Sequence, residues 1–221
     1  MTKQPKEEEI LLKLREAVIS GDADATEKIT NDALSRGVGA LLVFDELSSG
    51  MKKVGEMFGR SEIFLSDMMC AAEAFKAASK ILETKLSSKE ISKVSAGRVL
   101  IGTVEGDVHD IGKNLVSMML QSEGFEVYDI GTDVAPNEFI KKAEELNVDI
   151  IALSSLMTST MIYQRDTLRL LEEKGVRNKY KVMVGGGAVT QEWKEEICAD
   201  GFGKDAAKAV KVAKEIMASK K

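Results

Sequence analysis

The chain has 221 residues, enough for one large domain or two modest ones. Hydrophobic residues make up 44% and charged residues 30%, which excludes a disordered tail, a collagen-like fibre and a disulfide mini-scaffold. The net charge of −5 gives phosphate backbones and anionic lipid no sequence-wide attraction, so neither nucleic acid nor a membrane is expected as a partner.

From Lys6 to about Leu86 the apolar residues recur at helical spacing. Ile10, Leu14 and Ala17 mark one face of a first helix, and Gly21-Asp22 ends it. Asp22 or Asp24 caps a second helix carrying Ala25, Ile29 and Ala33. A third carries the clearest stripe, Phe44, Leu47, Met51, Val54 and Phe58, before a break at Gly59-Arg60-Ser61. The fourth places Leu65, Met68, Ala72, Phe75 and Leu82 inward. Short loops between four such helices predict a small antiparallel bundle over residues 1–88. Residues 89–97 read as a linker.

Over residues 98–221 the pattern becomes strand–helix alternation. Apolar runs at 98–104, 125–130, 149–154 and 180–185 alternate with helical segments at about 111–123, 136–147 and 160–175. A weak fifth strand near Gly201-Phe202 precedes a last helix over about 205–217. Nearly continuous apolar strands predict an α/β domain, a doubly wound, flavodoxin-like sheet of five parallel strands covered on both faces. Ligands of such sheets bind at the carboxyl ends of the strands.

Cys70 and Cys198 lie far apart and form no CxxC pair, which fits a reducing compartment and argues against a zinc site or disulfide framework. The charged start and the lack of any apolar run near the ~18 residues of a membrane span lead to a cytoplasmic expectation.

The first strand runs into Gly102-Thr103-Val104-Glu105-Gly106-Asp107-Val108-His109-Asp110-Ile111-Gly112, which holds the single histidine of the chain. Asp107 can accept a hydrogen bond from one ring nitrogen and leave the other free to coordinate a metal. A phosphate-binding loop does not fit. One residue too many separates Gly106 from Gly112-Lys113, Asn114 stands where Ser or Thr is required, and two aspartates would repel phosphate. A response-regulator receiver does not fit either, because the third strand ends in Ser154-Ser155 rather than Asp.

Asp107-x-His109-x-x-Gly112 resembles the D-x-H-x-x-G signature of cobalamin-binding domains that hold the cofactor base-off and His-on. Further likenesses follow in order. Ser154-Ser155-Leu156 fits the S-x-L after the third strand, and Gly185-Gly186-Gly187-Ala188 the glycine-rich turn after the fourth. Ala199-Asp200-Gly201-Phe202 with Asp205-Ala206 resembles the closing segment. The helical half, with Met51 to Phe58 and Glu62 to Leu65, looks like the cap helices. The chain is thus similar to the small corrinoid proteins of methanogens and acetogens, and to the cap plus cobalamin-binding domains of methionine synthase.

The resemblance implies a methyl carrier rather than a complete enzyme. It would accept a methyl group on cobalt through a substrate-specific methyltransferase and pass it to a second one with a pterin or thiol acceptor. A corrinoid reactivation protein would be a further partner. The implied cofactor is cobalamin or a related corrinoid, in its methylcobalamin form during the cycle. His109 would ligate cobalt, and Asp107 with Ser154 would form a proton-linked relay. Val108, Asp110, Ile111, Gly112, Ser154, Leu156, Thr158, Thr160, Gly185, Gly186, Gly187 and Phe202 would contact the cofactor. Bundle residues such as Met51, Val54, Phe64, Leu65 and Met68 would shield the methyl group, with a hinge at 87–97. The donor stays open among methanol, methylamines, betaines and aromatic methyl ethers. Two other readings are a cobalamin-dependent sensor, disfavoured by the acidic balance, and the small subunit of an adenosylcobalamin mutase, disfavoured by the helical cap.

Overall fold

The computed structural model describes residues 4–83, 85 and 95–219. Of the expected linker and hinge, residues 87–94 lie outside the described residues. The chain divides into two compact units. One comprises the residues up to Ser95 with Gln121–Gly124, and the other Ala96–Leu120 with Phe125 onward.

The helical unit contains α1 (Gln4–Ser20), α2 (Ala23–Ser35), α3 (Ala40–Gly59) and α4 (Leu65–Glu83). Asp22 caps α2, its carboxylate accepting from the Ala25 N–H at 2.9 Å. The two hairpins α1–α2 and α3–α4 lie side by side, α1 against α3 and α2 against α4. The Arg15–Glu46 ion pair at 2.6 Å ties α1 to α3. Leu14, Val18, Leu47, Met51, Met68 and Leu82 fill the interior. On α2 the buried stripe is Thr26, Thr30 and Ala33 rather than Ala25, Ile29 and Ala33. Thr26 can face inward because its hydroxyl donates to the Asp22 carbonyl at 2.7 Å, leaving its methyl to pack. Met51, Val54 and Met68, expected as shielding residues, belong to this interior, while Phe64 and Met69 are exposed.

The second unit is a five-stranded parallel sheet in the order β2-β1-β3-β4-β5. Its strands are β1 (Gly97–Thr103), β2 (Phe125–Asp129), β3 (Ile150–Ser154), β4 (Lys181–Gly185) and β5 (Gly201–Gly203). The connecting helices are α5 (Ile111–Ser122), α6 (Pro136–Glu145), α7 (Ile162–Glu173), α8 (Gln191–Glu196) and α9 (Ala206–Ser219). Strand alternation sends Leu100, Ile151, Leu153, Val182 and Val184 to one face, where they pack with α6 and α7 residues such as Phe139 and Leu171. It sends Val99, Ile101, Ile150, Ala152 and Met183 to the other, against Leu120 of α5 and Ala209, Ala213 and Ile216 of α9. The switch point of this strand order lies between β1 and β3, at whose carboxyl ends the loop carrying His109 begins.

Candidate functional site

The loop after β1 is held at almost every residue. The Asp107 N–H donates to the Val104 carbonyl at 3.1 Å, and the Asp133 N–H to the Asp107 carbonyl at 2.9 Å. Asp133 also accepts from the Gly106 N–H at 2.7 Å. Thr103, the last residue of β1, donates its hydroxyl to the His109 carbonyl at 2.9 Å. The histidine is therefore placed by the end of the strand and not by a free loop.

Asp107 is fully buried, and each of its oxygens has a separate task. Oδ1 faces His109 Nδ1 at 2.7 Å and also accepts the His109 N–H at 3.1 Å. Oδ2 accepts the Leu156 N–H at 2.7 Å, the Met157 N–H at 3.3 Å and the Thr160 hydroxyl at 3.0 Å. Burial alone would push this carboxyl up, but the bonds from the His109 ring, the His109 and Leu156 N–H groups and Thr160 hold it at about 2. An ionised Asp107 can only accept, so Nδ1 is the protonated ring nitrogen and Nε2 carries the free lone pair.

The hydroxyl at the carboxylate is Thr160, not Ser154. Thr160 is backed by the fully buried Ser155, whose Oγ lies 2.8 Å from Thr160 Oγ1. Ser154 instead lines a cavity. The reason is alternation: Ser154 shares the face of Ala152, while Ser155 has turned out of the strand toward the Asp107 loop.

That cavity, about 550 Å³, begins at the exposed Val108, His109 and Ile111 and passes between α5 and α9 over the sheet. Asp110, Gly112, Ser154, Leu156, Gly185, Gly186 and Gly187, which the resemblance named, line it. Thr158 is exposed and Thr160 buried behind Asp107, and neither lines it. Phe202 packs into the core on the opposite face, since Gly201 and Gly203 take the cavity side of β5. A Cβ at Gly203 would stand 2.7 Å from the Ala209 Cβ, so the glycine lets α9 approach. Gly186, at φ +118°, is required outright, because a Cβ there would lie 2.0 Å from the Ser155 carbonyl oxygen.

Sequence reasoning missed the walls of this cavity. Ile101, Met183 and Ala209 read simply as core. Lys113 is nearly fully buried and lines the cavity with its ammonium paired to Asp129 and donating to Asn114 at 2.7 Å. Only the pairing across sixteen residues explains that burial, and no local pattern signals it. Gln164, also buried, donates to the Leu153 and Gly185 carbonyls at 2.9 and 3.3 Å and ties the ends of β3 and β4.

An imidazole pinned through one nitrogen, with Nε2 left as a free donor, stands at the mouth of a glycine-rimmed slot. Fold and site together define a class: a parallel-sheet domain with a ligand cavity at its carboxyl edge. Residues 97–211 match a family described as a B12 binding domain, and residues 10–83 match a second family with that description. The chain belongs to the B12-binding corrinoid proteins. It is 45% identical over 213 residues to dimethylamine corrinoid protein 1 of Methanosarcina mazei, covering 96% of this chain and 98% of that one. It is 41% identical to the trimethylamine corrinoid protein of Methanosarcina barkeri, covering 92% and 94% respectively. Among solved structures, the methanol:cobalamin methyltransferase complex from Methanosarcina barkeri aligns with a TM-score of 0.84 at 28% identity, over 99% of this chain and 86% of that chain.

Proposed function

We propose that this chain is a methyl-carrying corrinoid subunit that works between two methyltransferases, with His109 as the protein ligand to cobalt. The observation that carries the proposal is the lock between His109 Nδ1 and the buried, ionised Asp107 at 2.7 Å. It fixes the tautomer whose Nε2 is a free donor, the donor type that cobalt takes from imidazole. The residues fit the cofactor in two further respects: the slot beside His109 is rimmed by Gly185, Gly186 and Gly187, and its lining is mainly apolar. When bound, the corrinoid supplies a cobalt centre that takes up a methyl group and releases it.

The chain's own residues would set how firmly His109 holds that centre. Asp107 makes the imidazole a better donor by drawing on its Nδ1–H, and it balances the charge if Nε2 takes a proton instead of metal. Thr160 and the Leu156 and Met157 N–H groups keep the carboxylate charged throughout. Val108 and Ile111, both exposed beside His109, present apolar surface that a macrocycle would cover. The relatives named for dimethylamine and trimethylamine support a methylated amine as the methyl source. The structure that contains a methyltransferase supports an enzyme of that type as a partner. No described helix is long and apolar enough to cross a membrane, and a cytoplasmic site of action belongs to this reading.

The test is the electron-spin-resonance spectrum of the protein loaded with cobalamin and reduced to cobalt(II), beside His109→Ala. A nitrogen coupling from the protein, lost in the variant, is the expected result. Binding with an unchanged signal would keep the cofactor and remove His109 from the metal.

A further inference from the structure

The chain that follows β2 carries a bulge beside the loop that holds His109. The Thr103 N–H donates to the Gly131 carbonyl at 2.9 Å, and the Thr103 carbonyl accepts from the Val134 N–H at 3.0 Å. In a regular parallel ladder those two partners would stand two residues apart, but here they stand three apart. The extra residue pushes Thr132 and Asp133 out of line, and a bulge of this kind re-aims a side chain. Asp133 takes the left-handed conformation at φ +56°, which aspartate tolerates better than most residues.

From the bulge, Asp133 grips the chain on both sides of Gly106. Its Oδ1 accepts the Gly106 N–H at 2.7 Å, and its own N–H donates to the Asp107 carbonyl at 2.9 Å. Val104 to Asp107 form a tight turn closed by the Asp107 N–H on the Val104 carbonyl at 3.1 Å. Gly106 is its third residue at φ +75°, the pattern of a type II turn. The alternative, type I, has the peptide between Glu105 and Gly106 flipped. That flip would put the Glu105 carbonyl oxygen where the Gly106 N–H stands, facing the Asp133 carboxylate. Asp133 therefore favours one turn by attraction and opposes the other by repulsion.

We propose that Asp133 is a positioning residue for His109. By fixing the turn that delivers Asp107, its carboxylate keeps Asp107 in register with the imidazole and so maintains the tautomer with a free Nε2. Asp133 is exposed and belongs to neither core cluster of the sheet unit, so this role is separable from the stability of the fold. Its consequence at cobalt rests on the corrinoid reading above.

His109 is the single histidine of the chain, so NMR of the ring nitrogens in the purified, cofactor-free protein reports on it alone. At a pH where the ring is neutral, the share protonated on Nε2 measures how often the lock with Asp107 is open. Asp133→Gly removes the carboxylate and keeps the left-handed backbone without strain. It is expected to raise that share about 5-fold, the equivalent of one solvent-facing hydrogen bond. Asp133→Asn keeps an acceptor but can also turn its amide N–H toward a flipped carbonyl, so it should fall between the two. Thr132→Gly loosens the same bulge with the carboxylate in place and should match the parent.

An unchanged share in Asp133→Gly overturns the proposal. Thr132→Gly reproducing the effect overturns it too, because backbone freedom would then account for the change. So does Asp133→Asn standing no closer to the parent than Asp133→Gly. A parent ring protonated mainly on Nε2 would remove the lock and everything built on it. With cobalamin bound and reduced to cobalt(II), Asp133→Gly should show protein-nitrogen coupling in a smaller fraction of the signal than the parent does. If the ring signals follow the expected order but no protein shows that coupling, the role of Asp133 stands and the cobalt-ligand reading has failed.

Discussion

The two faces of the sheet are built from the same strands and do different work. On the face under α6 and α7, side chains stay large to the carboxyl end: Ile151 then Leu153 on β3, Val182 then Val184 on β4. On the face under α5 and α9 they shrink: Ile150, Ala152, Ser154 on β3, then Met183, Gly185 on β4, and Gly201, Gly203 on β5. One face is therefore closed and carries stability. The other is closed at its base and open at its rim, where His109 stands. The slot is a taper in side-chain size, and no separate structural element is needed to make it.

This contrast predicts that truncation on the closed face and filling of the open face have opposite signatures. Phe139 is fully buried in the closed face, and Phe139→Ala is expected to cost about 3–5 kcal/mol of unfolding free energy. Denaturant titration measures that cost, and corrinoid affinity of the folded fraction should not change. Ala152→Leu puts its extra atoms into the slot. Because those atoms enter a cavity, the ~1–3 kcal/mol cost of overpacking a filled core should not appear, and cobalamin binding should weaken by ~100-fold or more, about 2.7 kcal/mol. If Ala152→Leu instead unfolds the protein with binding intact, the slot is ordinary core. Thr160→Val tests the buried side of the His109 lock. Loss of one hydrogen bond to a charged carboxylate should cost ~1.5–3 kcal/mol of stability and alter the cobalt(II) spectrum, although Thr160 itself lies outside the cavity lining.

The same contrast explains what was legible in the sequence. Strands of a covered sheet leave apolar runs that can be read directly, and β1 to β4 and the loop with His109 were placed that way, while β5, Gly-Phe-Gly, gave only a weak signal. The lock of Asp107 on His109 was legible because it spans two residues. Its other half was not, since Thr160 lies fifty-three residues away and competes with four nearby hydroxyls at Ser154, Ser155, Thr158 and Ser159. Only the direction of the chain after β3 decides among them. Phe202 was named through the resemblance of the closing segment, and the three-residue β5 turns it to the face opposite the cavity. The six-residue α8 was missed because Trp193 is its main apolar marker, and that side chain is anchored by donating to the buried Gln164 at 2.9 Å. The inward Thr26 of α2 escaped for a related reason: a hydroxyl satisfied one turn back behaves as a small apolar group.

A smaller effect is expected at the opposite end of the sheet, away from the slot. Asp200 follows the closing loop before β5 and accepts from the Val182 N–H at 2.8 Å, Arg177 at 2.8 Å and Lys181 at 3.1 Å. Burial pushes its carboxyl up, but these three donors outweigh burial and leave it below the ordinary carboxylate value. A depressed native-state pKa binds the proton less readily than the unfolded chain does. Its stabilisation is therefore complete above the unfolded value, ~3.9 for Asp, and is lost as pH falls through the lower native value. Asp200→Asn should remove that contribution, so the difference in unfolding free energy between parent and variant should be constant near neutrality and shrink below about pH 4. A difference that stayed constant down to pH 2 would mean that the ionised form is not what Arg177 and Lys181 hold. Because Asp200 touches neither the slot nor His109, cobalamin affinity at neutral pH should be the same in both proteins.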